Sequence, residues 1–393
     1  MTPSTEYANK PPTRSYISVG LTRRNMTTDQ QKPRSTPRLR DTLSDDLRQK
    51  GFWKNVGREF DDIQGFYVPP EEQARLHSMG ALRRGFAVSW MMVKNMLLRL
   101  TPVRRLLLVA GILLIGANRI QVNVGDTQTS GDLSILGVVA ILFVLMLELK
   151  DRTLARDELE AGRKVQRALM ASPYPEFPGW SIALFSRPAN EVGGDLVDFI
   201  RIDEKRAAVV LADVSGKGLQ AALLMAKLQA TLRVLAQECV SLGTCLSRAN
   251  RVFHHDGIPG SFASLLSVEI SSESGEVRWS NAGHLPPFLV TAAGVQEMQK
   301  GEPALGLMGS TAYEEHRVIL GTSDVFFVCS DGLTEARNEK GEFFGEERAQ
   351  SLIAGLRGLT AEEITRRVTD EVDRFRGLAR AHDDLSFLVL RKM

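Results

Sequence analysis

The sequence predicts an α+β fold for its C-terminal part: two packed, mainly antiparallel β-sheets flanked by helices. Beyond residue 173, short apolar and β-branched runs alternate with turns of a few residues, and such connections join antiparallel strands. Three longer segments repeat apolar residues at helical spacing, as helices on the outside of a sheet do. With 43% hydrophobic residues among 393, the chain has enough apolar surface for one substantial core.

The predicted strands and helices of this domain, residues 173–393, follow one another in a simple order. Strands are predicted at residues 196–202, 206–213, 262–270, 277–281, 316–320, 325–330 and 385–390. Helices are predicted at residues 219–237, 346–355 and 361–375. The turns at Asp203–Lys205 and Ser274–Gly275 make hairpins of the first and second pairs of strands.

The N-terminal region, residues 1–80, is polar and basic, and its first part is rich in Thr, Ser, Pro, Lys and Arg. Such a segment cannot bury enough apolar surface to offset its ordering entropy, so we predict that it is largely disordered. No apolar stretch follows Met1, which argues against a cleaved signal peptide. The three cysteines lack C-x-x-C spacing, so we expect reduced thiols in a reducing compartment.

Residues 81–105 combine six basic residues with large apolar ones and contain no acid. The pattern predicts a basic amphipathic helix lying on membrane lipid. An ordinary helix that packs on a domain is the alternative. Two apolar runs follow, Leu106–Ala117 and Leu133–Leu147. The first reaches the length of a membrane span only if its helix continues to Val122.

The basic residues around these runs lie mainly at the outer ends, at Arg104, Arg105, Lys150 and Arg152. By the positive-inside rule, residues 106–147 are predicted to form a transmembrane hairpin in the cell (inner) membrane. Both the N-terminus and the C-terminal domain would then be cytoplasmic. A helical pair buried in a soluble domain is the alternative.

Residues 148–172 are charged and rich in helix-forming residues, and the prolines from Pro173 onward end this predicted linker helix. Leu154, Ala161 and Ala168 repeat at seven residues, but the repeat is too short and irregular for a definite coiled coil. We favour a rigid spacer. A signalling helix that joins two copies into a homodimer is the alternative.

Four aspartates each border an apolar run and lie close to glycine or a second carboxylate: Asp195, Asp213, Asp331 and Asp383. A single acid at a strand end usually starts a turn. Four of them suit hard divalent cations, which prefer oxygen ligands and keep several waters. The wide spacing argues against a local calcium loop, whose ligands lie within about twelve residues. Metal-dependent hydrolysis is therefore the leading hypothesis.

These aspartates lie in five sequence blocks that occur in the order of a known family. The blocks are Ala189–Asp195, Ala212–Ala222, Asn281–Pro287, Ser330–Glu335 and Asp383–Ser386. Together they resemble the SpoIIE/RsbU-type branch of the PPM family, which are metal-dependent serine/threonine protein phosphatases. The resemblance covers residues 165–393 and does not extend to the N-terminal part.

The resemblance implies a PPM-type αββα sandwich with two Mn²⁺ or Mg²⁺ ions at one end. It implies that Asp195, Asp213, Asp331 and Asp383 are the catalytic metal ligands, together with the carbonyl of Val214. The implied reaction is hydrolysis of phosphoserine or phosphothreonine by a metal-activated water. The implied partner is a small phosphorylated regulatory protein, such as an anti-sigma-factor antagonist.

Several alternatives stay open at this point. Asp384 competes with Asp383 for the ligand position, although the resemblance favours Asp383. Asp198 matches a recurrent acid of the family, and Lys217 either assists the phosphate or faces solvent at a helix start. His284 is expected to make a structural hydrogen bond.

Other classes of function have less support from the sequence. A catalytically inactive membrane scaffold that keeps the fold for partner binding is the main rival. The Ser-Gly-Lys-Gly segment lacks the spacing of a nucleotide-binding P-loop. Nucleic-acid binding is not expected, because the basic stretch adjoins an apolar hairpin.

Overall fold

The computed structural model describes residues 80–116, 120–124, 127–131 and 134–393. The chain divides into two compact units, residues 1–141 and residues 142–393. Apart from Gly80, the region predicted to be disordered, residues 1–80, lies outside the described residues.

The first unit contains helices joined by a β-hairpin. In chain order these are α1 (Ala81–Arg99), α2 (Pro102–Gly116), β1 (Ile120–Val124), β2 (Thr127–Gly131) and the start of α3 (Ser134–Leu169). The basic helix predicted for residues 81–105 thus ends at Arg99. The prediction that the first apolar helix continues to Val122 is wrong. The Ile-Gln-Val-Asn-Val segment alternates β-branched and polar residues, which favours a strand, and it pairs antiparallel with β2.

Two glycines set the contact between α2 and α3. A Cβ atom at Gly111 would lie 3.0 Å from the carbonyl oxygen of Gly137 and 3.0 Å from Cγ1 of Ile141. The helix backbones therefore approach closely where neither carries a side chain, as small residues allow in helix pairs. Around this contact, α2 and the first turns of α3 expose many large apolar side chains, among them Leu106, Leu113, Ile135 and Leu136.

The described residues contain one helix that is long and apolar enough to cross a membrane by length and composition, Leu219–Glu238. It belongs to the second unit, where Leu224, Met225, Leu228 and Leu232 pack into a core. Helix α2, by contrast, has 15 residues.

The second unit contains two antiparallel five-stranded sheets. The first sheet has the order β10-β7-β6-β5-β4, and the second β3-β12-β11-β8-β9. The strands are β3 (Trp180–Arg187), β4 (Asp195–Arg201), β5 (Arg206–Val214), β6 (Ala263–Ser271), β7 (Glu276–Ala282), β8 (Phe288–Thr291), β9 (Gly294–Glu297), β10 (His316–Ile319), β11 (Val325–Cys329) and β12 (Leu385–Lys392). The helices are α4 (Leu219–Glu238), α5 (Leu242–Asp256), α6 (Gly345–Ala354) and α7 (Ala361–Arg376).

The layers follow from strands that are apolar on both faces. In β5, Val209 and Leu211 point into a core shared with Phe326 and Leu388 of the other sheet. Its alternate residues pack with α4 and α5. The second sheet packs its outer face on α6 and α7. This is the predicted α+β fold with two packed antiparallel sheets flanked by helices.

The predicted strands and helices of this unit agree with the structure to within one or two residues, and four elements were not predicted. These are β3, α5, β8 and β9. Strands β8 and β9 have four residues each, which is too short to show a period. Helix α5 does carry a helical pattern, because Leu242, Cys245, Leu246, Ala249 and Phe253 recur at intervals of three and four residues and are buried, and that pattern was overlooked.

Candidate metal centre

One pair of the predicted site residues comes from the first sheet. Asp195 is the first residue of β4, and Asp213 is the penultimate residue of β5. The two strands are antiparallel neighbours, and their register places Asp195 directly opposite Asp213. Asp195 is buried, with 3% of its surface exposed. The strand pairing therefore brings two carboxylates together at one end of this sheet.

The other pair comes from the second sheet. Asp331 follows β11 by two residues, and Asp383 precedes β12 by two residues. The two strands are antiparallel neighbours, and their pairing extends toward the site. There the backbone N–H of Ser330 donates to the carbonyl of Ser386 at 2.8 Å, and the Ser330 hydroxyl donates to the carbonyl of Asp384 at 3.2 Å.

The carboxylates of the two sheets influence each other electrostatically. Burial, followed by repulsion from Asp331, Asp383 and Asp384, raises the pKa of Asp213 to about 6. Burial and then the charge of Asp213 raise the pKa of Asp195 well above its usual range. Burial, with repulsion from Asp383 and Glu335, also raises the pKa of Asp331. Four aspartates that lie far apart in the sequence thus form one crowded acidic cluster.

This cluster has the chemistry of a site for hard divalent cations. Every donor is oxygen, and Oδ2 of Asp195 is buried without a hydrogen-bond partner, as an atom reserved for a ligand would be. A Cβ atom on Gly194 would lie 2.9 Å from the carbonyl oxygen of Val214 and 3.5 Å from Oδ1 of Asp213. Gly194 therefore leaves these two oxygens open.

Within the described ranges, no three His, Cys, Asp or Glu side chains are already close enough together to hold one metal ion. The charge and the donors of the cluster fit divalent cations, and the side chains would have to draw together around them.

The two neighbouring C-terminal aspartates have different surroundings. Asp384 is buried, and its Oδ1 and Oδ2 accept hydrogen bonds from the backbone N–H groups of Ala189 at 2.7 Å and Gly194 at 2.8 Å. The Asp383 side chain is 34% exposed, and its Oδ2 lies 3.3 Å from Nζ of Lys217. Both carboxylate oxygens of Asp384 are thus used in hydrogen bonds to the loop before β4, whereas Asp383 faces the acidic cluster. The geometry favours Asp383 as the ligand.

Two other ionisable residues considered in the sequence analysis make contacts that hold the fold together. Asp198 is buried and accepts two hydrogen bonds of 2.8 Å from Arg233 of α4, so it ties a strand to a helix. His284 is buried, its Nδ1 lies 2.9 Å from Oγ of Ser264, and its backbone N–H donates to Asn281 at 2.8 Å. Burial lowers the pKa of His284 to about 4, so its ring is neutral at pH 7.

One residue at the site was missed in the sequence. Gln166, near the end of α3, is 6% exposed. Its Nε2 donates to the carbonyl of Gly193 at 2.8 Å, and its Oε1 accepts from the N–H of Gly193 at 3.2 Å. The linker helix thus holds the backbone two residues before Asp195. In the sequence Gln166 is one polar residue in a charged helix, and nothing in its spacing distinguishes it.

Comparison with known proteins shows which family and which proteins this chain is similar to. The profile of the family "Stage II sporulation protein E (SpoIIE)" matches residues 203–392. "Protein IcfG" of Synechocystis sp. is 25% identical over 299 residues, which cover 67% of this chain and 46% of that protein. "Phosphoserine phosphatase RsbU" of Bacillus subtilis is 26% identical over 239 residues, covering 60% of this chain and 70% of that protein.

Among solved structures, the SiaA-PP2C domain of Pseudomonas aeruginosa has the same fold. Its TM-score is 0.54 at 18% identity, and the match covers 62% of this chain and 98% of that domain. The chain spans about half the length of the first curated relative. The matched region contains Asp213, Asp331 and Asp383. Residues 203–392 therefore match the SpoIIE family, and this part of the chain is similar to phosphoserine phosphatases of the RsbU type.

Proposed function

We propose that this chain is a membrane-anchored, Mn²⁺- or Mg²⁺-dependent serine/threonine protein phosphatase. Its substrate is a phosphoserine or phosphothreonine on a small regulatory protein, such as an anti-sigma-factor antagonist. The observation that carries the proposal is the convergence of Asp195 and Asp213 from one sheet with Asp331 and Asp383 from the other, which gives raised pKa values to three of them.

The mechanism follows from that convergence. Two divalent ions bound here would supply an activated water and positive charge for the phosphoryl oxygens. Asp195, Asp213, Asp331 and Asp383 would hold them, with the carbonyl of Val214 as a further oxygen donor. Asp384 holds the Gly194 amide and so fixes the backbone beside Asp195. The chain needs no covalent nucleophile, because the attacking water replaces one.

Membrane anchoring is the part of the proposal that concerns the N-terminal unit. Support comes from the many large apolar side chains that α2 and the first part of α3 expose. A helix that is apolar all round fits lipid or a protein interior. Helix α1 adds Phe86 and Trp90, which are 77% and 62% exposed, on a helix that also carries Arg83 and Arg84. Such a helix suits the membrane surface.

The enzymatic part is tested with the purified full chain in detergent, a phosphoserine peptide and Mn²⁺. We expect phosphate release that requires Mn²⁺ and stops with a chelator. The Asp213→Asn chain is the matched control, since we expect it to keep the fold and it lacks one proposed ligand. A full chain that binds Mn²⁺ yet releases no phosphate from any phosphoserine or phosphothreonine peptide would favour the inactive membrane scaffold instead.

A further inference from the structure

The loop between β5 and α4 presents one lysine at the edge of the acidic cluster. Lys217 lies between Gly216, with φ +107°, and Gly218, with φ +69°. Both glycines adopt backbone conformations that L side chains rarely reach. A Cβ atom at either would meet no heavy atom within 4 Å. The loop is therefore open around Lys217, whose side chain is 62% exposed and free to change its direction.

The charge of Lys217 acts directly on the cluster. Its Nζ lies 3.3 Å from Oδ2 of Asp383, and its positive charge partly offsets the upward shift in the pKa of Asp331. These two aspartates belong to the second sheet, whereas Lys217 follows the strand of the first sheet that ends with Asp213 and Val214. The lysine thus reaches across the end of the sandwich.

The charge balance of the site calls for such a cation. The four proposed ligands and Asp384 carry five negative charges when ionised, and two divalent ions supply four positive charges. A phosphate monoester, which bears close to two negative charges at pH 7, would then approach a site that is already slightly negative. An ammonium group at the rim neutralises that excess negative charge and offers three hydrogen-bond donors on a flexible stem.

We propose that Lys217 is a catalytic residue that contacts the phosphoryl group of the substrate. In the substrate-free protein its ammonium pairs with Asp383, and in the complex it exchanges that carboxylate for a phosphoryl oxygen. An exposed Lys–Asp pair is weak, so the exchange costs little. The inference rests on the proposed function, because it assigns the residue that recognises the phosphate at that same site.

A purely structural role for the ion pair makes the opposite prediction for metal binding. If Lys217 served only to hold Asp383 in place, its loss would weaken binding of the metal and of phosphate together. If Lys217 binds phosphate, its loss removes a positive charge beside the incoming metal ions. The affinity for Mn²⁺ then stays the same or rises, while the affinity for phosphate falls.

The test uses full-length Lys217→Met, Lys217→Arg and Lys227→Met chains. Lys227→Met is the matched control. Lys227 lies on α4, the helix that follows the loop, and it also pairs with an aspartate, Asp256, at 3.7 Å. Mn²⁺ is titrated calorimetrically into each metal-free chain, and inorganic phosphate into each Mn²⁺-loaded chain. We expect Lys217→Met to weaken phosphate binding about tenfold without weakening Mn²⁺ binding. Lys217→Arg should retain most of the phosphate affinity, and Lys227→Met should match the original chain.

Equal phosphate affinity in Lys217→Met and the original chain would overturn the inference. A parallel loss of Mn²⁺ and phosphate affinity would also overturn it, in favour of the structural role. These outcomes are distinct from failure of the proposed function, which would show as an original chain that binds Mn²⁺ and hydrolyses no phosphopeptide.

Discussion

Asp384 accepts a hydrogen bond from the backbone N–H of Gly194 at 2.8 Å, one residue before Asp195, although 190 residues separate the two. Its neighbour Asp383 faces the acidic cluster and Lys217. Adjacent carboxylates thus have different surroundings, one holding the loop and one facing the proposed metal site.

Replacing each of these two aspartates by asparagine should therefore give different defects. Asp383→Asn should weaken Mn²⁺ binding strongly without lowering the melting temperature of the metal-free protein, because it removes a charge that repels Asp213 and Asp331. Asp384→Asn should lower that melting temperature, because a charge-assisted hydrogen bond contributes about 1.5–3 kcal/mol. Calorimetric Mn²⁺ titration and thermal unfolding measure the two effects. If Asp384→Asn lost the metal and Asp383→Asn did not, the ligand role would pass to Asp384.

Asp213→Asn and Asp331→Asn should each lower phosphatase activity by about a hundredfold or more, since a neutral amide binds a hard cation poorly. Both chains should stay folded. The metal-free Asp213→Asn chain should be more stable than the original, because burial of the charge and repulsion from Asp331 and Asp383 raise the pKa of Asp213 and both costs disappear with the charge. Activity at saturating Mn²⁺ and circular dichroism test this. Near-normal turnover in either chain would remove that residue from the ligand set.

The stability of the metal-free protein should depend on pH through Asp213. Burial and the neighbouring carboxylates raise the pKa of Asp213 to about 6 in the folded protein, against an ordinary value of 3.8, so between these pH values the folded state binds more protons than the unfolded state. The free energy of unfolding must then fall as pH rises through this window. Mn²⁺ affinity should rise over the same window, because the metal displaces the proton. Urea unfolding of the original and Asp213→Asn chains from pH 4 to 7 checks the sign, and an equal slope in both would contradict it.

Gln166→Ala should destabilise the protein by about 1–3 kcal/mol, because it leaves the buried N–H and carbonyl of Gly193 without partners. Activity should fall as well, since Gly193 lies two residues before Asp195. Arg163→Ala is the matched control on the same helix. Arg163 pairs with Glu191 at 3.1 Å with both side chains partly exposed, and such pairs contribute about 0–1 kcal/mol. Urea unfolding and phosphopeptide assays compare the two chains, and equal effects would show that the Gln166 contact is dispensable.

The membrane proposal predicts a definite topology. Single cysteines are placed at Thr127 and Ser4 in a chain whose native cysteines have been replaced, and intact cells are treated with an impermeant thiol reagent. We expect modification at position 127 and protection at position 4, because the basic residues lie mainly at the two outer ends of the hairpin. If the reagent modified neither position and the protein were released from membranes at high pH, the hairpin would not span the membrane.

Most strands of the second unit were predictable, because each is a short apolar run in the sequence with turn residues at its ends. The end of β4 and the start of β5 were predicted within one residue around the Asp203–Lys205 turn. Strand β3 was missed, since the prolines before it suggested irregular chain. Its place at the sheet edge depends on pairing with β12, about 200 residues later, and no local pattern reports such a contact.

The site was predictable in its residue types and only partly in its arrangement. Asp195 and Asp213 stand out because each borders an apolar strand and glycines. The separate tasks of Asp383 and Asp384 depend on which carboxylate meets the Gly194 amide, and that follows from packing. The helix predicted to reach Val122 illustrates the opposite error, in which overall apolar content outweighed a local β-branched alternation.

The division of the acidic cluster between two sheets has a consequence for the durability of the protein. Ions held by Asp195 and Asp213 on one side and by Asp331 and Asp383 on the other would cross-link two layers whose facing sides meet mainly through apolar contacts. Ligand binding to the folded state alone stabilises it by about 2.7 kcal/mol at a free concentration one hundred times the Kd. Metal supply would then set the lifetime of this enzyme against proteases as well as its turnover, so starvation for manganese or magnesium would deplete the protein itself.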